Sequence, residues 1–282
     1  MESLVDNLNR LCDEKPFHVG WYVRDLRTGE TANRNGHTVV PSASVRKISI
    51  MMCALQGVSE GRFSLDQPVE IQAKYQQNDF GPFRLLSPGF SITLADALTM
   101  MIVLSDNTCT GTIFDMLGID RINAYCKSVG MTGTTHRSGV PPRGLDRDHP
   151  VTAVNATTPS DVGHLLDLIS RGCKAEEVAR QLGCLPEHCN LAVDILSNQM
   201  LMAALPSRLP YGTRVAHKTG TGLDSRSHND AGIVFQGDDQ RVVLTVFTDR
   251  VPQALPDGMP AQFAGEQLVG QIARICYDFF AD

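Results

Sequence analysis

Three short groups of residues in this chain have types and spacings that could do chemistry together. They are Ser44, Val45, Arg46 and Lys47; Ser105, Asp106 and Asn107; and Lys218, Thr219 and Gly220. A serine hydroxyl is a weak nucleophile until a neighbouring base takes its proton. Lys47 lies three residues after Ser44, so on a helix the two side chains share a face and the amine can reach the hydroxyl. Burial and neighbouring cations would depress the amine's pKa enough for it to serve as a base. A helix start also offers backbone N–H groups where an oxyanion would develop. The chemistry these residues suit is attack on a carbonyl carbon through a covalent intermediate on Ser44.

From average composition, an S-x-x-K is expected roughly once in a chain this long, an S-D-N in about one chain in twenty-five and a K-[ST]-G in about one in seven. The weight therefore rests on their conjunction and on their settings: a helix start, a helix junction and a strand end. Taken singly, Ser44 and Ser105 read as ordinary helix caps, Lys47 as a solvated helix lysine, and 219–222 as a plain turn. A phosphate loop is excluded at 217–222, because its glycines follow the lysine instead of preceding it.

The elements that must position these residues follow from patterning. Leu4, Leu8 and Leu11 mark an amphipathic helix at the N-terminus. Residues 17–27 read as a strand, with a second approaching Val39 and Val40. Ile48, Met51, Met52 and Leu55 give an apolar stripe to a helix over 45–58, and further helices are expected over 93–104, 108–117, 158–170, 175–182 and 191–205. The stretch 132–150 is rich in Gly, Pro, Arg and Asp without periodicity, so it is a long irregular loop, and such loops are usually functional. Strands at 213–219, 231–235 and 242–248 and a helix at 262–280 complete the chain.

An α+β fold is therefore expected, with an antiparallel sheet assembled from both termini, flanked by helices, beside an all-helical lobe. The division expected is one unit, with 1–41 and 206–282 forming the α/β lobe and 42–205 the helical lobe, which carries an active-site loop at 132–157. A cleft between the two is a favoured place for a ligand.

The three motifs are the signature of class A β-lactamases and penicillin-binding proteins, and the chain resembles a class A β-lactamase-type serine hydrolase along most of its length. Leu86 to Gly89, Leu94 to Leu98 and Met101 to Thr108 resemble the family's central helix; Thr157 to Pro159, Val215 to Gly222 and Asn229 to Val234 resemble its later segments. The resemblance implies Ser44 as nucleophile and Lys47 as its base or base partner. It implies a proton relay to the leaving nitrogen through Ser105, assisted by Lys218, and an Asn107 bond to the substrate amide. Lys218, Thr219 and Thr221 would hold a substrate carboxylate, and the backbone N–H groups of Ser44 and Thr221 the oxyanion.

The chain departs from the family in one place. Class A enzymes carry a glutamate in the long loop that activates the deacylating water, yet no glutamate occurs between Glu70 and Glu176. The acids within 132–156 are Asp146 and Asp148, beside His149, and Asn155 stands where the family often has an acid. Asp146, Asp148 or His149 is expected to replace the missing base, or Lys47 to serve both half-reactions; otherwise the acyl group leaves slowly. A loop ion pair of the aspartates with Arg143 or Arg147 is the plainer reading.

Bulk properties bound the rest. The 282 residues are 42% hydrophobic and 20% charged, the profile of a globular enzyme, with a net charge of −6 and pI near 5.7. Scattered basic residues argue against a nucleic-acid partner, and no apolar stretch reaches membrane-spanning length. The N-terminus lacks the marks of a signal peptide, and eight cysteines without framework spacing read as free thiols, so a cytoplasmic location is expected. Cys184, His188 and Cys189 lack the paired spacing of a zinc site and read as a loop between two helices. No metal or cofactor is expected. The partner is a small amide, lactam or ester. Hydrolysis of amides, including β-lactams, is the leading expectation, with an esterase, a D-peptidase or a non-turnover penicillin sensor as alternatives.

Overall fold

The computed structural model describes residues 1–281. In chain order the elements are α1 (Glu2–Asp13), β1 (His18–Asp25), β2 (Thr31–Arg34), β3 (Val40–Pro41), α2 (Lys47–Ser59), β4 (Pro68–Glu70), β5 (Ser91–Thr93), α3 (Leu94–Val103), α4 (Asn107–Leu117) and α5 (Ile119–Ser128). Then come β6 (Ala156–Thr157), α6 (Pro159–Gly172), α7 (Glu176–Gln181), α8 (Pro186–Ser197), β7 (Val215–Thr221), β8 (His228–Gln236), β9 (Asp239–Asp249) and α9 (Ala261–Phe280).

Five strands form one antiparallel sheet in the order β2-β1-β9-β8-β7, so residues near both ends of the chain pair directly. Its middle is buried on both faces: nearly every residue of β8 and β9 is inside, which suits the β-branched run Val242, Val243, Thr245 and Val246. The edge strand β2 alternates between exposed and half-buried residues.

One core lies between the sheet and the terminal helices, where Leu4 and Leu8 of α1 meet Trp21, Leu244 and Val246 of the sheet and Ile272 and Cys276 of α9. The other joins the opposite sheet face to the central helices through Ile48, Met51, Leu98, Ile113, Leu165 and Ile233. Full burial of one such aliphatic side chain contributes about 1.5–3 kcal/mol. The helix α2 is buried nearly all round, as a helix running through a core must be.

The fold differs from the sequence reading in particulars that have physical causes. The helix expected over 191–205 runs instead over Pro186–Ser197. Pro186 supplies the preset φ of a first helical residue, and the apolar run after Gln199 becomes a loop and a short 3-10 turn, Leu205–Arg208. His188 and Cys189 are therefore helical rather than in a loop, and His188 Nδ1 accepts from the Leu185 N–H at 3.3 Å to cap the helix start. Two-stranded ribbons, β3 with β6 and β4 with β5, stand among the central helices. No helix among the described residues is long and apolar enough to cross a membrane, and no cluster of three or more His, Cys, Asp or Glu among them is arranged to hold a metal ion.

Candidate active site

Ser44 does not open an α-helix. It sits in a 3-10 turn, Ala43–Arg46, that leads into α2, and the turn begins with Ala43 at φ 44°. The edge strand β7 runs against this turn at Gly220. A Cβ at Gly220 would lie 2.9 Å from Ser44 N, 3.0 Å from Val45 N and 3.0 Å from the Ala43 Cβ. Glycine is thus required for the strand to approach the serine's amide. Replacing Gly220 with alanine should push β7 off the turn and cut the acylation rate roughly 10²- to 10³-fold, the scale of losing one oxyanion donor. Pre-steady-state acylation by nitrocefin, with far-UV circular dichroism unchanged, checks this.

The second motif is built at the junction of α3 and α4. Ser105 has φ 53°, a left-handed backbone that a non-glycine residue adopts only when its surroundings impose it. Asp106 does much of that work. Its carboxylate caps α4 by accepting from Cys109 N–H at 2.8 Å and also accepts from Phe83 N–H at 2.9 Å, pinning the preceding loop. In the same corner, Asn107 N–H donates to Phe80 O at 3.2 Å.

The turn in Ser105 aims its carbonyl at Lys47. Lys47 Nζ lies 2.7 Å from Ser105 O, 2.9 Å from Asn107 Oδ1 and 3.1 Å from Ser105 Oγ, and the residue is only 1% exposed. Burial pushes its pKa well below the usual lysine value, and the charges of Lys218 and Arg46 push it further the same way, against the weaker pull of Asp106. The amine donates to Ser105 O, Asn107 Oδ1 and Ser105 Oγ, and in its neutral form it would have a lone pair to accept from a hydroxyl.

Lys218, on β7, is fully buried, and its Nζ donates to Thr219 O at 2.8 Å. Burial lowers its pKa to about 7, partly offset by Asp230. Asp230, on the neighbouring strand β8 but on the opposite face of the sheet, is held by His217 Nδ1 at 3.0 Å and by the backbone N–H groups of Leu205 and Ala231 at 2.9 Å each.

A cleft of about 610 Å³ opens above these lysines, lined by Ser44, Ser105, Asn107, Thr219 and Thr221. Of the motif residues, Ser44, Arg46, Ser105, Asn107, Thr219 and Gly220 line the cleft, Lys47 and Lys218 are bonded beneath it, Asp106 braces the Ser105 corner and Val45 packs into the core. Tyr75 and Phe80 form an aromatic side of the same cleft.

The long loop supplies the facing wall. Its neck is closed by reciprocal backbone bonds between Thr135 and Ala156, at 2.9 and 3.0 Å. Asn155 Oδ1 tightens it by accepting from the N–H groups of Arg137 at 2.7 Å and Ser138 at 3.1 Å. His149 lines the cleft, whereas Asp146 and Asp148 are exposed and do not. Neither aspartate forms the ion pair considered above: Arg143 lies 3.8 Å from Asp79, and Arg147 donates to backbone carbonyls of Asp224 and Val251.

Sequence reasoning missed Arg226. Its guanidinium bonds Asp249 at 2.8 and 3.1 Å and donates to the carbonyls of Arg147 at 2.8 Å and His149 at 2.6 Å, tying the loop to the sheet. Nothing in the local sequence marks that role, because its partners lie 23 and 77–79 positions away.

Fold and site together define a serine hydrolase of the class A β-lactamase type. The chain belongs to the β-lactamase enzyme family, whose model matches residues 3–280. It is 26% identical over 247 residues to the extended-spectrum β-lactamase PER-1 of Pseudomonas aeruginosa, covering 85% of this chain and 75% of that one. Among solved structures, PBP-A superposes with a TM-score of 0.82 at 26% identity, over 100% of this chain and 97% of that chain. A β-lactamase from Sphaerobacter thermophilus gives 0.83 at 23% identity, over 99% and 97%. A single-substitution mutant of PBP-A, also similar at a TM-score of 0.82, is an acyl-enzyme complex with penicillin G.

Proposed function

We propose that the protein hydrolyses the amide bond of β-lactams or related small cyclic amides through an acyl-enzyme on Ser44. The observation that carries this reading is the buried, cation-depressed Lys47 amine bonded to Ser105 and Asn107, three residues from a cleft serine whose amide abuts Gly220. Lys47 takes the Ser44 proton directly or as partner of a relay. The hydroxyl oxygen then attacks the carbonyl, and charge develops toward the N–H groups of Ser44 and Thr221. Ser105, fed by Lys47 and Lys218, returns a proton to the leaving nitrogen. Asn107 bonds the substrate's acyl amide, while Lys218, Thr219 and Thr221 receive its carboxylate.

Intact mass spectrometry over time after mixing with benzylpenicillin tests the proposal. The expected result is a one-to-one adduct that maps to Ser44 after digestion and then decays. No adduct at any time overturns it.

A second reading, a penicillin-binding protein that traps its ligand, is favoured by the absence of a glutamate anywhere in 132–157 and by the likeness to PBP-A. It predicts an adduct that persists for days. Esters are the alternative substrate class, and steady-state turnover of p-nitrophenyl acetate exceeding that of nitrocefin would favour them.

A further inference from the structure

Hydrolysis of an acyl-enzyme needs a group to deprotonate water beside the ester; if Lys47 does not serve twice, the loop at 132–157, where class A enzymes carry theirs, is the wall that would supply it, and the cleft's other carboxylates, Asp79 and Asp224, are both exposed. The loop's residues on the cleft narrow the choice. Val140, Pro141, Pro142 and Val154 carry no proton acceptor, and Arg143 is a cation. Asn155 is an amide whose oxygen is already occupied by two backbone N–H groups. Asp146 is turned to solvent and accepts from Asp148 N–H at 3.2 Å. Asp148 faces a separate small hollow among Arg147, Arg226 and Arg250. His149 remains.

We propose that His149 is the general base of deacylation, taking a proton from the water that attacks the Ser44 ester. This rests on the acyl-enzyme reading above.

Three features of the ring's setting support it. His149 Nδ1 lies 3.2 Å from Pro150 O, so the neutral ring carries its proton on Nδ1, donates it to that carbonyl, and leaves the Nε2 lone pair free. Nε2 has no protein partner among the described residues, yet it is not sealed away as the outer nitrogens of His217 and His228 are. His149 is only 6% exposed and lines the same cavity as Ser44.

The backbone beneath is tied by hydrogen bonds. Arg226 holds the His149 carbonyl at 2.6 Å, the His149 N–H donates to Asp146 O at 3.1 Å, and Arg226 is itself anchored on Asp249. A catalytic base needs that kind of support to stay aimed.

The step balances without a co-reactant. The water oxygen bonds to the acyl carbon as its proton passes to Nε2. The carbon–Oγ bond of Ser44 then breaks, and the proton from Nε2 reaches Oγ, directly or through water. Free acid and free Ser44 result.

The test compares wild type, H149A and H149Q with benzylpenicillin, following adduct formation and decay by intact mass, with and without added imidazole. Expected in both variants is acylation within about threefold of wild type and an adduct lifetime lengthened about 10²-fold or more, the usual scale of a general base. Imidazole should shorten the lifetime again in H149A, where the vacated space admits it, and much less in H149Q. That rescue is a response a merely structural histidine would not give.

An adduct lifetime unchanged in both variants overturns the proposal and hands the role to Lys47. So does a lengthened lifetime in H149A that imidazole leaves untouched. A wild type that never acylates sinks the acyl-enzyme reading as well, which keeps the two failures distinct.

Discussion

Replacing Ser44 with alanine should abolish covalent labelling by benzylpenicillin and lower turnover on the order of 10⁴-fold or more, since removing a nucleophile costs nearly as much as removing the whole catalytic unit. The fold should hardly notice. Among the described residues, the Ser44 side chain takes part in no hydrogen bond and stands at the cleft wall, half-buried. Loss of one oxygen there should shift stability by no more than about 0.5 kcal/mol. Thermal denaturation within a degree or two of wild type, together with a mass spectrum free of adduct, is the outcome to look for. A variant that still forms a one-to-one adduct would mean another nucleophile does the chemistry. Ser105 is the group to examine then, because its hydroxyl is in the same cleft and bonded to the same amine.

How much of this was legible beforehand depended on whether the signal was local. The three motifs could be read because each is contiguous and because only their conjunction was improbable. Long helices with regular apolar stripes, such as α2 and α9, could be read for the same reason. The helix α5 was not anticipated: it is ten residues long and buries only Ile122, Tyr125 and Cys126, too few to establish a period. The end of α8 was misplaced because the apolar residues after Gln199 continue the composition of a helix but not its geometry. Instead, Gln199 turns back to bond Ile102 O at 2.9 Å and Met200 N–H bonds Val103 O at 3.1 Å. Both are long-range contacts that a window of sequence does not contain.

The site divides in the same way. Ser44, Lys47, Ser105 and Lys218 announced themselves, and burial beside cations was the expected way to depress Lys47, but the geometry that supplies that setting was not legible. It depends on a left-handed Ser105, on the Asp106 cap that imposes it, and on a second lysine delivered by a strand 171 positions away. The loop offered three candidate bases that sequence could not rank. Burial separates them, because His149 is inside and both aspartates are out.

That dependence sets up the other large effect, at Lys47. Replacing it with methionine keeps the stem and removes the amine. Acylation should fall about 10³-fold, in the middle of the range for general-base catalysis. Stability should change far less. Burial disfavours the charged form of this amine, so the main loss is the hydrogen bonds to the Ser105 and Asn107 oxygens it leaves bare, about 1–3 kcal/mol, offset by the easier burial of methionine.

The pH profile separates this role from a packing role. On the proposed mechanism, the free enzyme acylates with Lys47 neutral and with Lys218 charged to receive a carboxylate. Lys47 is neutral above its pKa, which burial, Lys218 and Arg46 hold well below the usual lysine value. Lys218 is charged below about 7. The acylation kcat/KM should therefore be bell-shaped, with its acid limb set by Lys47 and its alkaline limb near 7. In Lys47→Met the acid limb should vanish while the alkaline one remains, since burial rather than Lys47 is the main cause of the Lys218 shift. Folding should carry the matching signature. Between about pH 7 and 8 the unfolded chain binds a proton at Lys218 that the native state does not, so this lysine makes stability rise with pH there, while at higher pH the buried thiols, whose pKa values burial raises, pull stability down. Urea midpoints that stay flat from pH 7 to 8, or an acid limb that survives in Lys47→Met, would show that the buried amine pair is not what sets the proton balance of the cleft.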